Sequence, residues 1–133
     1  MNAVFLDTVG LMGLWNNGDQ WHFDAENALQ ILEHDRRTLV TTEFVLSECG
    51  NQTTRTSARS TVAEFRRRLI ENGLLLEVTP EDLEAAWSAF ARKFKSDPSL
   101  VDEISISVMN RLGIREVFSN DVHFGRAGFT LLF

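Results

Sequence analysis

The sequence predicts an α/β fold in which helices cover both faces of a mostly parallel central sheet of four to five strands. The chain of 133 residues is 44% apolar, which is enough to bury the core of one domain spanning residues 1–133. Short continuous apolar runs alternate with longer segments that have helical spacing. These runs lack the polar alternation of half-exposed strands, which indicates strands buried on both faces. In such sheets, functional groups gather at the carboxyl ends of the strands.

Five short segments have the composition of buried strands, and the first is expected to lead into a turn at residues 8–10. The predicted strands are residues 2–7, 38–42, 74–78, 116–120 and 130–133.

Six segments have the periodicity of helices. Four of them cover residues 11–16, 24–34, 57–72 and about 99–112. The other two are the third in chain order, which Thr42 is expected to cap, and the fifth, which Pro80 is expected to open. In the fifth, one apolar stripe is expected to face the core: Leu83, Ala86, Trp87, Phe90 and Phe94. In the sixth, the stretch from Ile104 to Val108 alternates like a strand. Apolar spacing over the full segment and the flanking Pro98 and Gly113 favour a helix.

Composition and charge narrow the classes of function. The net charge of -6 argues against a protein that coats nucleic acid nonspecifically, because such binding depends on Lys and Arg neutralising phosphates. It does not exclude a nuclease with an acidic site. We expect no membrane segment and no export signal, and the single Cys49 excludes an internal disulfide. A cytoplasmic protein is therefore expected.

Asp7 and Asp121 each follow a predicted strand, in "VFLDTVG" and "VFSND". Taken alone, Asp7 could simply cap the following helix, and Asp121 could form a turn. No Lys or Arg lies near Asp7 in the sequence to neutralise it. Both carboxylates are nevertheless expected at the same edge of the sheet.

Asp102 and Glu48 lie on predicted helices. Asp102 has the spacing of a capping box with Ser99, and an isolated helical Glu is usually solvated. Glu43 is five positions from Glu48, about 140° around the helix, so both cannot face one point. We favour Glu48, because Glu43 suits the first turn of its helix.

Four carboxylates at one edge would repel each other by about 4 kcal/mol per pair at 4 Å and an effective dielectric constant of 20. A divalent cation removes that cost. Oxygen ligands without a Cys or His cluster favour Mg²⁺ or Mn²⁺ over zinc. The residues therefore predict a metal site in which Asp7 is left without a basic partner because a cation binds it.

Four blocks of the sequence resemble, in order and spacing, those of PIN-domain ribonucleases, especially the VapC-type toxins of toxin-antitoxin pairs. These blocks are "VFLDT", "TTEFVLSE", "LVDEISISVMNRLGIREVFSND" and "DVHFGRAGF". The resemblance implies a PIN-like three-layer α/β/α sandwich. It also implies Mg²⁺- or Mn²⁺-dependent hydrolysis of RNA phosphodiester bonds, a cognate antitoxin protein as partner, and a homodimer.

Residue by residue, the family's catalytic and metal-binding acids fall on Asp7, Glu48, Asp102 and Asp121. Glu48 would bind a metal ion or a water molecule held by one. Two hydroxyl residues, Ser105 and Ser119, are expected to donate hydrogen bonds around the site. Glu103, beside Asp102, departs from the small or apolar residue expected there.

A weaker RNA-binding candidate is a stripe of Arg55, Arg59 and Arg66, which share one face if the helix runs unbroken from residue 55. An ordinary solvated face is the alternative, because Glu64 lies among them. His123 and the other two histidines share no metal spacing and are taken as structural. Cys49 lacks an evident base, so a nucleophilic role is disfavoured.

Two other functions compete with a nuclease. A haloacid-dehalogenase-type phosphatase also places an Asp after its first strand, but it needs Asp-x-Asp, and position 9 here is Val. A non-catalytic PIN-like module that binds RNA or protein would be expected to lack one of the acids, and none is missing.

Overall fold

The computed structural model describes residues 2–92 and 98–133, which form five strands and seven helices. The strands are β1 (Ala3–Leu6), β2 (Thr38–Thr42), β3 (Leu75–Leu76), β4 (Glu116–Phe118) and β5 (Thr130–Leu131). The helices are α1 (Thr8–Trp15), α2 (His22–His34), α3 (Glu43–Gln52), α4 (Arg59–Glu71), α5 (Pro80–Ala91), α6 (Leu100–Leu112) and α7 (Val122–Arg126).

All strand pairs in the sheet are parallel, and the strand order is β3-β2-β1-β4-β5. β1 is the central strand, and its four residues are buried, as a strand covered on both faces requires. Leu6, the last residue of β1, pairs with Phe118, the last residue of β4. The predicted fold class is therefore confirmed, and the chain leaves β1 and β4 at the same edge of the sheet.

A close approach holds α1 against the end of β4. Gly10 lies where an added Cβ would come within 2.2 Å of the Phe118 carbonyl oxygen and 2.5 Å of its ring. Only glycine allows this approach without a shift of the helix or the strand. The first turn of α1 is thereby fixed beside the residues that follow β4.

Helices α5 and α6 pack against each other, with the start of one beside the end of the other. Arg111, in the last turn of α6, donates to both carboxylate oxygens of Asp82, in the first turn of α5. Capping boxes begin both helices, at Thr79 and Ser99, as their sequences suggest. The helix predicted for residues 99–112 is therefore confirmed.

Several predicted boundaries are wrong. Residues 8–10 form the first turn of α1 rather than a separate turn, because Asp7 caps a helix that begins at once. The expected core stripe on α5 also fails: Trp87 is 52% and Phe90 42% exposed, and their rings instead contact each other edge to face. Phe94, the last residue of that stripe, lies outside the described residues. Helix α7 was not predicted.

Within residues 2–92 and 98–133, no helix combines the length and apolarity needed to cross a membrane.

Candidate metal centre

Asp7 lies at the carboxyl end of β1 and is 1% exposed. Its Oδ2 accepts hydrogen bonds from the backbone N–H of Val9, at 3.3 Å, and from the Ser119 hydroxyl, at 2.9 Å. The cap predicted as the alternative role of Asp7 is therefore real. It uses only one of the two carboxylate oxygens.

Glu48 enters the site from the middle of α3. The Thr8 hydroxyl donates to its Oε1, which links α3 to the residue that follows Asp7. Glu43, at the start of the same helix, instead pairs with Arg66 at 2.7 Å. The structure thus separates the two glutamates in the way that the helical spacing predicts.

Asp102 lies in the first turn of α6 and is 8% exposed. Its Oδ2 accepts the backbone N–H of Ser99 at 3.2 Å, which completes the capping box. The capping role and a place in the acidic cluster are therefore compatible, because the fold brings this end of α6 to the sheet edge.

Asp121 begins α7, just after β4, and its Oδ1 accepts the backbone N–H of His123 at 3.0 Å. The His123 Nδ1 lies 2.9 Å from that same oxygen. Ser119 connects this residue to Asp7, because its hydroxyl accepts the Asp121 backbone N–H at 3.0 Å while donating to Asp7. One buried hydroxyl therefore fixes two of the acids relative to each other.

The four carboxylates share one pattern of bonding. Each commits one oxygen to hydrogen bonds within the protein, and in the described part of the chain the other oxygen has no hydrogen-bond partner. Among the same residues, none of the four forms an ion pair with Lys or Arg. The acids Asp7, Glu48, Asp102 and Asp121 thus present four free oxygens and uncompensated charge.

The electrostatic cost of this arrangement appears in the pKa values. Burial, followed by the charge of Asp102, raises the pKa of Asp7 to about 7, although the hydrogen bond from Ser119 lowers it. Burial, followed by the charge of Asp121 and a smaller effect of Glu48, raises the pKa of Asp102 to about 6. These couplings show that the four acids sense one another, as carboxylates gathered for a cation do.

Ser105 is fully buried on α6, one turn after Asp102, and its hydroxyl has no hydrogen-bond partner within the described residues. It does not donate to any of the four acids. Ser119, in contrast, makes the contacts expected of a residue that orients a metal ligand. Glu103 is also buried, next to Asp102 in the first turn of α6.

The predicted arginine stripe does not form as one helical face. α3 ends at Gln52 and α4 begins at Arg59, so Arg55 lies in the connection between them rather than on the helix. Arg66 is on α4, where it pairs with Glu43. Arg55 and Arg59 are exposed and form no ion pair among the residues described.

Cys49 is buried beside the acids, and its thiol is a poor nucleophile. Burial, together with the charges of Asp7 and Glu48, raises its pKa to about 12. A thiolate is therefore not available near neutral pH.

Comparison with known proteins identifies the family. The sequence profile of the PIN domain matches residues 4–130, nearly the whole chain. The chain belongs to the PIN domain family. The resemblance predicted from the four sequence blocks is thereby confirmed.

Curated relatives of this PIN domain include the "23S rRNA-specific endonuclease VapC20" of two Mycobacterium tuberculosis strains, CDC 1551/Oshkosh and H37Rv. Each is 30% identical over 127 residues, which cover 95% of both proteins. The crystal structure of VapC20, described as a sarcin-ricin loop cleaving toxin, matches with a TM-score of 0.79 and 26% identity over 96% of each chain. The predicted resemblance to VapC-type toxins is confirmed by both the sequence match and the structural match.

Two more distant structures share the fold. VapBC2 from Rickettsia felis, bound to a promoter DNA fragment, has a TM-score of 0.63 at 13% identity, covering 97% of this chain and 96% of the other. FitAcB from Neisseria gonorrhoeae has a TM-score of 0.62 at 14% identity, covering 98% and 96%. At such identities the likeness shows the fold alone.

His123, which the sequence pattern predicted to be structural, lies at the acidic centre. Ligand atoms of Asp102, Asp121 and His123 all lie within 4.8 Å of one another, close enough to hold one ion. Among the described residues, Asp7 and Glu48 lie outside this tight group and are coupled to it through the charge of Asp102. Spacing between histidines was uninformative, because the relevant neighbour is an acid. The available signal was Asp-x-His at the start of a helix that follows a strand.

Proposed function

We propose that this PIN domain is a metal-dependent endoribonuclease and the toxin component of a toxin-antitoxin pair. One observation carries the proposal. Four carboxylates from separate parts of the chain meet at one sheet edge, each with an unbonded oxygen and none paired with Lys or Arg in the described residues. Such a cluster is costly for a folded protein, and it is useful for binding a divalent cation.

The residues present fit Mg²⁺ or Mn²⁺. Asp7, Asp102 and Asp121 would supply carboxylate oxygens to the ion, and Glu48 would supply a fourth, either to the ion or to water near it. The raised pKa values of Asp7 and Asp102 agree with this fit, because a cation would relieve the repulsion that raises them. When bound, the ion would neutralise charge on the scissile phosphate and activate water for hydrolysis.

The surrounding hydroxyls have a positioning role. Ser119 holds the Asp7 carboxylate through its hydroxyl and holds the backbone of Asp121, while the backbone N–H of His123 orients the Asp121 carboxylate. Thr8 does the same for Glu48. Preorganised ligands lower the cost of binding both the ion and the phosphate. Ser105 remains a candidate for the same task.

The substrate to test first is 23S ribosomal RNA, because a relative that is 30% identical over 95% of both chains is named as an endonuclease specific for it. Arg55, Arg59 and Arg66 are candidates for phosphate contacts outside the acidic centre. As a VapC-type toxin, the protein would be cytoplasmic, bind a cognate antitoxin and form a homodimer. The antitoxin partner follows from the VapC name of the relative that is 30% identical over 95% of both chains.

Two alternatives are less well supported. A non-catalytic binding module has no need for four acids with free oxygens, and the relatives with full-length matches are named endonucleases. A phosphatase of the dehalogenase type needs a second Asp at position 9, where Val9 stands.

The deciding experiment incubates the purified protein with labelled 23S rRNA fragments in the presence of Mn²⁺, Mg²⁺ or EDTA. We expect cleavage that needs the metal and is lost in Asp7→Asn and Asp121→Asn. An Asp24→Asn variant, altered on the exposed face of α2, should cleave like the unmodified protein. Cleavage that persists in EDTA, or in Asp7→Asn, would refute the proposal.

A further inference from the structure

His123 contributes the one nitrogen donor that the described residues bring to the acidic centre. Its Nδ1 lies 2.9 Å from the Asp121 Oδ1, and its side chain is 24% exposed, like the 21% of Asp121. Both side chains come from the start of α7, which follows β4 directly.

The spacing of these atoms matches that of ligands around one ion. Ligands bound at about 2.1 Å in octahedral geometry lie about 3.0 Å apart when adjacent and about 4.2 Å apart when opposite. The 2.9 Å between Nδ1 and Oδ1 shows that the imidazole nitrogen lies beside the Asp121 carboxylate, at a spacing like that of an adjacent pair. The ligand atoms of all three residues, Asp102 included, lie within 4.8 Å of one another, so a shift of about 0.6 Å or less would bring them into one coordination sphere of this size.

The backbone restricts this pair to the observed arrangement. The His123 backbone N–H donates to the same Oδ1 at 3.0 Å, so the carboxylate of Asp121 and the imidazole are fixed on one short turn. The other oxygen of Asp121 has no hydrogen bond among the described residues, and neither has the Oδ1 of Asp102. Asp102 and Asp121 therefore each present one oxygen beside the imidazole of His123.

We propose that His123 is a ligand of the metal centre and that it shifts the preference of the centre from Mg²⁺ to Mn²⁺ and related transition-metal ions. This inference rests on the proposed function, because it needs the acids to bind a cation. It goes further by naming a nitrogen ligand and the class of ion that results.

The selectivity follows from ligand chemistry. Mg²⁺ prefers oxygen ligands and keeps much of its hydration, whereas imidazole binds Mn²⁺, Co²⁺ and later ions more readily. A site built from carboxylates alone would discriminate weakly between Mg²⁺ and Mn²⁺. One imidazole nitrogen gives the transition-metal ion an interaction that Mg²⁺ uses poorly.

His123 could otherwise act only as a positioning residue that holds Asp121 by a hydrogen bond. The variant His123→Asn separates the two roles. Its side-chain amide can occupy the place of Nδ1 and still donate to Asp121, but it offers no imidazole nitrogen. His123→Ala removes both functions, and His34→Ala, at a side chain that is 81% exposed on α2, is the matched control.

The test measures dissociation constants for Mn²⁺ and Mg²⁺ by calorimetry, without RNA. We expect the unmodified protein and His34→Ala to bind Mn²⁺ at least tenfold more tightly than Mg²⁺. In both His123 variants, Mn²⁺ affinity should fall about 10- to 100-fold, with a smaller change for Mg²⁺. The ratio of the two constants should therefore approach one.

Other outcomes overturn the inference in distinguishable ways. A ratio unchanged in both variants excludes His123 as a ligand while the proposed nuclease function survives. Restoration of the ratio by His123→Asn reduces the residue to a positioning role. Failure of the unmodified protein to bind either ion defeats the inference and the proposed function together.

A second measurement uses only the unmodified protein, so its result does not depend on whether the variants fold. Co²⁺ added to the unmodified protein should shift the NMR signals of one imidazole ring strongly, through direct coordination, and leave the rings of His22 and His34 close to their original positions. Equal, small shifts of all three rings would contradict coordination by His123.

Discussion

Replacing Asp7 by Asn should stabilise the metal-free protein, and by more at pH 8 than at pH 5. The pKa of this carboxyl is raised from 3.8 to about 7, so the folded state holds its proton more tightly than the unfolded state does. Stability that depends on this proton is present at low pH and is lost as the pH rises through about 7. Asparagine carries no such penalty, and it also serves as an N-cap.

The magnitude follows from that difference in pKa. At about 1.4 kcal/mol per pH unit, the raised pKa of Asp7 costs the folded state about 4 kcal/mol at pH 8, where Asp7 is mostly ionised, and about 2 kcal/mol at pH 5, where it must take up a proton. The free energy of unfolding of Asp7→Asn relative to the unmodified protein should therefore grow by about 2 to 3 kcal/mol between the two pH values. Asp102 titrates in both proteins, and because its charge helps to raise the pKa of Asp7, the difference reports the coupled pair rather than Asp7 alone.

The assay is urea unfolding in EDTA at both pH values, with stability taken from linear extrapolation. Asp24→Asn, changed at an exposed site in the first turn of α2, is the control and should alter stability by less than about 1 kcal/mol at either pH. Saturating Mn²⁺ should reverse the order, because it stabilises only the protein with an intact site. A difference between Asp7→Asn and the unmodified protein that does not change with pH would refute the reasoning.

Three further predictions concern the support of the site and its approach by RNA. Gly10→Ala should lower the free energy of unfolding by about 1–3 kcal/mol, because the added Cβ forces α1 away from β4. The control is Gly50→Ala, whose added Cβ meets no atom within 4 Å; denaturant unfolding should show it to be neutral or stabilising. Ser119→Ala should raise the pKa of Asp7 further, because the hydrogen bond that lowers this pKa is lost. Calorimetry should show that the variant binds Mn²⁺ about 10- to 100-fold more weakly, and an unchanged affinity would count against a positioning role for Ser119. Combined charge reversal of Arg59 and Arg66 should weaken RNA binding by the Asp7→Asn protein and reduce the salt slope by about 1.4 for single strands, and an unchanged slope would remove both residues from the interface.

Much of the fold could be predicted because the composition and capping signals of single segments agree with the spacing of their apolar residues. β2 and the helix at residues 99–112 have clear composition and capping signals, and the structure has both. The α5 stripe misled because helical spacing of aromatic residues predicts a shared face without saying what covers it. Trp87 and Phe90 share a face, and that face is largely exposed.

The candidate site was predictable in its acids and less so in its surroundings. Strand ends indicated Asp7 and Asp121, and the two helix acids Glu48 and Asp102 were placed at the same edge from their spacing before the family resemblance supported all four. His123 was missed because its position depends on α7, and a helix of five residues is too short to produce a recognisable periodicity in the sequence. The arginine stripe failed for a related reason, because the break between α3 and α4 carries no Pro or Gly signal.

The most direct test of the acidic centre is calorimetric titration of Mn²⁺ at pH 6.5 in two buffers of different ionisation enthalpy. Because the pKa of Asp7 is about 7, ion binding should displace its proton. We predict saturable binding with release of more than about half a proton per ion, and in Asp7→Asn a clearly smaller release, which comes from Asp102 with its pKa of about 6. Two results would contradict the claim that these carboxylates are gathered around a cation. One is absence of binding at millimolar Mn²⁺. The other is binding that releases no proton and has the same affinity in Asp7→Asn.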